Sequence, residues 1–307
     1  MRPDQPNFFS GPYIDRRAEE REQAGWARAA LEDPETLYLL GSGTRHLVYT
    51  RPEPRIAFLA AREAAAASAD ETRLVLLGWF KGRRCVLVEL GDEASVELPP
   101  NGSFEELRAL SPLLAAEEAG LLAYARGLSI WRGRQRFCGA CGAATVPQHA
   151  GHSMRCSKED CAQQFFPRLD PAIIVLVTDG ERALLGRQAT WPPGRYSTIA
   201  GFVEPGESLE DAVAREVMEE AAVPVADARY DSSQPWPFPA SIMIGFRARA
   251  RPGSPVRVNG ELEDARWFTR EEVRSGGNAL LPFSHSISRR LIVNWLEEQT
   301  SSTEATT

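Results

Sequence analysis

The sequence predicts an α+β protein built from a small N-terminal α/β domain, a cysteine-rich insert and a C-terminal mixed domain. Three observations lead there. Five short strand-like runs precede one long helical run in residues 1–130. Four of the five cysteines fall in residues 131–167. From residue 168 strands and helices are interleaved around a single, strongly acidic helix.

In the first part, "TLYLL", "HLVYT", "RIAFLA", "RLVLLGWF" and "RCVLVEL" have the length and apolar content of strands. The following stretch, Ser103 to Trp131, reads mostly as helix, opening on Ser103 with Glu106 three residues on, the spacing of a capping box. Cys85 lies inside a strand-like run and reads as a small buried hydrophobe. No residue here suggests chemistry.

Bulk composition narrows the function. Apolar residues make up 43% of the 307 and charged residues 25%, ordinary for a globular chain. The formal charge is −7, so nothing global favours nucleic acid or an acidic membrane surface. A polyanionic substrate would need local positive charge or a metal. The longest clear apolar run, Ala172 to Val177, is strand length, far below the roughly 20 residues of a membrane helix. The N-terminus lacks the apolar centre of a signal peptide. A cytoplasmic, reducing location is the default expectation, with cysteines reduced or metal-bound.

Cys138, Cys141, Cys156 and Cys161 are spaced C-x2-C-x14-C-x4-C, two close pairs separated by a hairpin-length segment. That pattern suits tetrahedral thiolate ligation of one structural Zn²⁺, with no open position for catalysis. Gly139 and Gly142 allow a tight turn around the first pair. His149 and His152 lie in the intervening loop, but four cysteines already close the shell.

In residues 168–299, "AIIVLVTDGERALLGRQ" reads as a hairpin turning at Asp179-Gly180. A capped helix is expected from Ser208 and Asp211, following the Pro205-Gly206 turn. Within it Glu216, Glu219 and Glu220 stand at i, i+3 and i+4 on one face. Such a cluster is usually a solvated face. Here Glu207, Arg215 and a turn accompany it, and hard oxygen ligands on a rigid helix suit Mg²⁺ or Mn²⁺ beside a substrate's phosphates. Downstream, "SQPWPFPAS" alternates prolines with Trp236 and Phe238. Prolines stiffen the segment and exclude a central strand, leaving a packed loop, an edge, or a preformed wall for a flat ligand. Ile287, Leu291 and Trp295 share one stripe of the last helix, and residues 300–307 read as a disordered polar tail.

The stretch Gly201 to Val223 resembles the Nudix box, G-x5-E-x7-R-E-U-x-E-E-x-G-U with U apolar. It matches at Gly201, Glu207, Arg215, Glu216, Val217, Glu219, Glu220 and Val223, and departs at Ala222, where the family has glycine. The "SQPWPFP" segment and the four-cysteine ribbon ahead of the box resemble, more narrowly, the NADH pyrophosphatase family. The resemblance implies a Nudix α/β/α sandwich and hydrolysis of NADH or NAD⁺ to nicotinamide mononucleotide and AMP. It also implies removal of NAD caps from RNA and a homodimer. By position it implies Glu216, Glu219, Glu220 and, less sharply, Glu261 as Mg²⁺ or Mn²⁺ ligands, with Arg215 and Glu207 bracing them. Phe202 is implied as a base-stacking ring, with Gln234, Ser241, Trp236 and Phe166 towards the substrate. Phe202 as a core residue is the alternative. ADP-ribose or another dinucleotide as substrate, or a silent NAD- or RNA-binding domain, are the competing functions.

Overall fold

The computed structural model describes residues 5–64, 70–93 and 96–304. The chain falls into two compact units, Met1–Phe8 with Asp170–Pro235 and Ser241–Thr307, and Phe9–Leu169 with Trp236–Ala240.

In the second of these, β1 (Ile14–Asp15), β2 (Leu37–Ser42), β3 (Arg45–Tyr49), β4 (Arg55–Ile56), β5 (Leu74–Phe80), β6 (Arg83–Glu89) and β7 (Gly102–Glu106) form one sheet. Its order is β1-β5-β6-β2-β3-β4, with β7 also on β3. Helices α1 (Trp26–Glu32), α2 (Ala61–Ala64), α3 (Leu107–Leu110) and α4 (Ala116–Arg134) accompany it. Four of the five strand-like runs are strands, "RIAFLA" is strand only at Arg55–Ile56, and Cys85 is fully buried within β6.

The stretch expected as helix from Ser103 is mostly helical, but its helices start only at Leu107. Residues 102–106 are β7, with Phe104 buried opposite Leu47 of β3. The Ser103 hydroxyl donates to the Glu105 carboxylate instead of capping a helix. Alternation around Phe104 offered a strand a buried face, and long-range pairing prevailed over the local capping pattern. Pro112 then separates α3 from α4.

The cysteine-rich segment has its own sheet of β8 (Thr145–Gln148), β9 (Ser153–Cys156) and β10 (Gln164–Phe165).

The other unit is a sheet between two helical layers. Its strands are β11 (Asp170–Thr178), β12 (Arg182–Arg187), β13 (Ile199–Phe202), β14 (Val225–Trp236), β15 (Ser241–Ala250) and β16 (Asp264–Thr269). The order is β14-β15-β11-β12-β16, with β13 also on β11. β11 runs parallel to β15 and antiparallel to β12 and β13. The helices are α5 (Leu209–Ala221), α6 (Arg270–Leu280) and α7 (Ile287–Glu304). Strand alternation sorts β11 between the layers. Ile173, Val175 and Val177 pack with Ala212, Val213 and Val217 of α5. Ile174 and Leu176 pack with Ile287, Leu291 and Trp295 of α7. Helix α7 continues to Glu304, so the polar tail expected from residue 300 begins inside its last turns.

β14 is an edge strand, the place the prolines permit. Extended geometry ends at Trp236, where the chain turns and the Phe238 amide donates to the Trp236 carbonyl. The Trp236 and Phe238 rings meet edge to face at 5.3 Å. Among the described residues, no helix is long and apolar enough to cross a membrane.

Candidate active site and metal centre

The four cysteines converge. The Gly142 amide donates to the Cys138 carbonyl, and Gly142 takes the left-handed φ of 75° that closes the turn. Cys141 and Cys156 sulfurs lie 3.5 Å apart, Cys138 and Cys161 3.7 Å, and all four within 4.8 Å of one another. None is in a disulfide. Four thiolates bound at about 2.3 Å around a tetrahedral centre would stand about 3.8 Å apart, so the cluster fits a structural Zn²⁺. Neither loop histidine joins it. The His152 ring nitrogen sits 2.8 Å from the Leu76 carbonyl, and burial lowers its pKa to about 4. His149 shares a hydrogen bond with the Ser153 hydroxyl.

The acidic helix is built as its sequence specifies. The Ser208 hydroxyl accepts from the Asp211 amide while the Asp211 carboxylate accepts from the Ser208 amide, a reciprocal cap. At the exit Ala222 adopts φ 55°, ψ 31°, and its amide donates to the Met218 carbonyl. Alanine thus keeps the left-handed exit, at a cost of about 1 kcal/mol.

Arg215 organises the carboxylates. Its guanidinium grips Glu207 at 2.5 and 3.0 Å, reaches Glu216 at 2.8 Å and Glu219 at 3.1 Å, and donates to the Phe202 carbonyl. That hydrogen bonding holds Glu207 below the usual carboxylate range, and Glu207 in turn accepts from the Glu204 amide. Helix, preceding loop and β13 are therefore tied through one side chain.

Gly201 has a reason in this geometry. A β-carbon there would fall 1.9 Å from the Glu216 carboxyl carbon, so the carboxylate occupies the space a side chain would fill. Glu216 and Glu220 are both buried, at 8% and 4% exposure. Burial raises the Glu216 pKa. Burial, then the charges of Glu261, Glu216 and Glu219, raises that of Glu220 to about 8. Buried carboxylates that repel one another create a demand for a cation, and the donor set of hard oxygens fits Mg²⁺ or Mn²⁺.

The remaining positions divide. Phe202 is 59% exposed at the end of β13, so it is not a core residue. Glu261 is exposed and near enough to act on Glu220, whereas Glu263 and Asp264 are engaged elsewhere, with Arg187 and Tyr196. Phe166, on the cysteine-rich segment, is exposed. Trp236 is half-buried. Ser241 is buried at the start of β15, opposite Asp170. Gln234 is fully buried and spends its amide inside the protein. Its nitrogen donates to the Phe8 and His285 carbonyls and its oxygen accepts from the Ile287 amide, capping α7. Both amide hydrogens and one lone pair of its oxygen are thus committed to three backbone groups within the protein. Nothing local in the sequence marks that role.

Comparisons with known proteins match three segments of the chain. Residues 168–295 match the NUDIX domain, residues 134–166 the NADH pyrophosphatase zinc ribbon domain, and residues 35–131 the NADH pyrophosphatase-like rudimentary NUDIX domain. The NAD-capped RNA hydrolase NudC of Mycobacterium bovis is 38% identical over 294 residues, covering 90% of this chain and 88% of that protein. The NAD-capped RNA hydrolase NudC of Pseudomonas syringae is 41% identical, covering 74% of this chain and 78% of that protein. The NAD-capped RNA hydrolase NUDT12 of Macaca fascicularis is 34% identical, covering 94% and 73%. With the box glutamates braced by Arg215, the four cysteines gathered, and such relatives matched over most of their length, the chain belongs to the NADH pyrophosphatase family of the Nudix hydrolases.

Proposed function

We propose that this protein hydrolyses the pyrophosphate bond of NADH and NAD⁺, giving nicotinamide mononucleotide and AMP, and removes NAD caps from RNA. The observation that carries the reading is the pair of buried carboxylates, Glu216 and Glu220, on one helix with Glu219, braced by Arg215. The names of the relatives support the substrate. Glu216, Glu219, Glu220 and Glu261 would hold Mg²⁺ or Mn²⁺. A cation bound there supplies neutralisation of the pyrophosphate and polarisation of phosphorus towards water. Arg215 holds Glu216 and Glu219 in place and, through Glu207, fixes the loop before the helix. Phe202, exposed beside that loop, is the ring for a base to stack on, and Ser241 serves the rest of the dinucleotide; a substrate role for Trp236 and Phe166 rests on the resemblance alone. The four cysteines hold a structural Zn²⁺. The homodimer and the cytoplasmic location rest on the resemblance and on composition.

The test is a comparison of kcat/KM for NADH, NAD-capped RNA and ADP-ribose with Mg²⁺ or Mn²⁺. NADH and capped RNA well ahead of ADP-ribose is the expected order. ADP-ribose ahead of both would overturn the substrate assignment while keeping the chemistry.

A further inference from the structure

Glu261 stands in the turn that precedes β16, outside the Nudix helix, yet its charge acts on both Glu216 and Glu220. An exposed glutamate beside Gly260, at φ 103°, would wander unless its neighbours were fixed. The three residues that follow it are each fixed separately. Leu262 is 6% exposed and shares a core with Val213 and Val217 of α5. Its side chain lies over Gly186, where a β-carbon would come within 2.6 Å of it. Glu263 is ion-paired with Arg187, and its amide donates to the Arg187 carbonyl at 2.9 Å. The Arg187 guanidinium is held from behind by the Trp191 carbonyl. Asp264 accepts from the buried Tyr196 hydroxyl at 2.5 Å, and the Tyr196 ring packs edge to face on Phe268 at 4.8 Å.

We propose that Gly186, Arg187 and Tyr196 form a three-point clasp on residues 262–264 that, with Leu262 packed against α5, positions Glu261 beside that helix for metal binding. They are positioning residues: none is a ligand, and each acts through Glu261. Leu262, which the clasp holds, shares a hydrophobic core with α5, whereas Tyr196 packs in the core on the α7 side, so residues 262–264 are anchored to both layers. The inference rests on Glu261 being a metal ligand, as in the proposed function.

The experiment is a double-mutant cycle on the zinc-loaded full chain. Arg187→Met and Tyr196→Phe are each made alone and combined with Glu261→Gln. Mn²⁺ binding is titrated by the electron spin resonance of the free ion, and kcat and KM for NADH are measured beside it. Each single variant is expected to weaken Mn²⁺ binding and lower kcat by about tenfold, as outer-shell changes do, with KM within twofold. In the Glu261→Gln background the same substitutions are expected to add nothing, because the group they position is gone. Equal losses in both backgrounds, or unchanged Mn²⁺ binding in both variants, would overturn the clasp. Tyr196→Phe deletes one hydroxyl, so it keeps the test valid if Arg187→Met fails to fold. If Glu261→Gln leaves Mn²⁺ binding intact while Glu220→Gln destroys it, the ligand role of Glu261 falls, and the clasp with it. That result is distinct from a wild-type protein inactive on NADH, which would overturn the function itself.

Discussion

Substituting Gly201 by alanine adds one methyl group where the Glu216 carboxylate now lies. The new carbon would be 1.9 Å from the carboxyl carbon and from Oε1 and 2.3 Å from Oε2. Ordinary contact is about 3.5 Å, so the carboxylate must retreat by roughly 1.5 Å. The backbone of β13 can stay, because its pairing with Ile173 of β11 uses main-chain groups alone. The side chain must therefore give, pulling against its 2.8 Å hydrogen bond to Arg215. A displacement of that size at a metal-binding carboxylate is expected to lower kcat about a hundredfold, while overpacking costs roughly 1–3 kcal/mol of stability. Steady-state NADH hydrolysis and thermal melting measure the two effects. Adding Glu216→Asp to Gly201→Ala retracts the carboxylate by one methylene and is expected to regain part of the stability. Wild-type turnover in Gly201→Ala would refute the reasoning, because Glu216 would then have room that this geometry denies it.

Other expectations follow from the same site. Because the Glu220 carboxyl titrates near 8 when folded and near 4.5 otherwise, the folded chain holds an extra proton between those values, and metal-free stability falls as pH rises through that window. Glu220→Gln should therefore raise the stability of the zinc-loaded protein, free of Mg²⁺ and Mn²⁺, at pH 8.5 by about 2–4 kcal/mol and by less at pH 6, as read by urea unfolding. Arg215→Met should lower kcat strongly, since it releases Glu207, Glu216 and Glu219 together. Phe202→Ala should raise KM for NADH about tenfold with a smaller effect on kcat, matching a lost stacking contact of about 1–3 kcal/mol. Elemental analysis is expected to find one zinc per chain and none in Cys156→Ser, which should also lower the melting temperature of Phe9–Leu169, because structural zinc binding is itself folding free energy.

The parts of the site legible in the sequence are those whose chemistry is local. Cysteine spacing announced the cluster, and glutamates at i, i+3 and i+4 with Arg215 just before them announced the acidic face. Even the departure at Ala222 kept its left-handed backbone, because the exit geometry belongs to the helix. What escaped depends on distant partners. Ser103 to Glu106 looked like a helix start until β3 offered Phe104 a buried face. Gln234 looked like a substrate contact, but residues some 50 and 226 positions away take up its amide. The roles of Gly186 and Tyr196 appear only when Leu262 and Asp264 fold back onto them. No periodicity in a single chain records such meetings.

The most direct test is to incubate the zinc-loaded protein with NADH and Mg²⁺ or Mn²⁺ and resolve the products by chromatography, with Glu220→Gln alongside. Reduced nicotinamide mononucleotide and AMP in equal amounts, absent in the variant, is the result predicted. No turnover with either metal, or cleavage that persists in Glu220→Gln, would contradict the assignment of this carboxylate site to pyrophosphate hydrolysis.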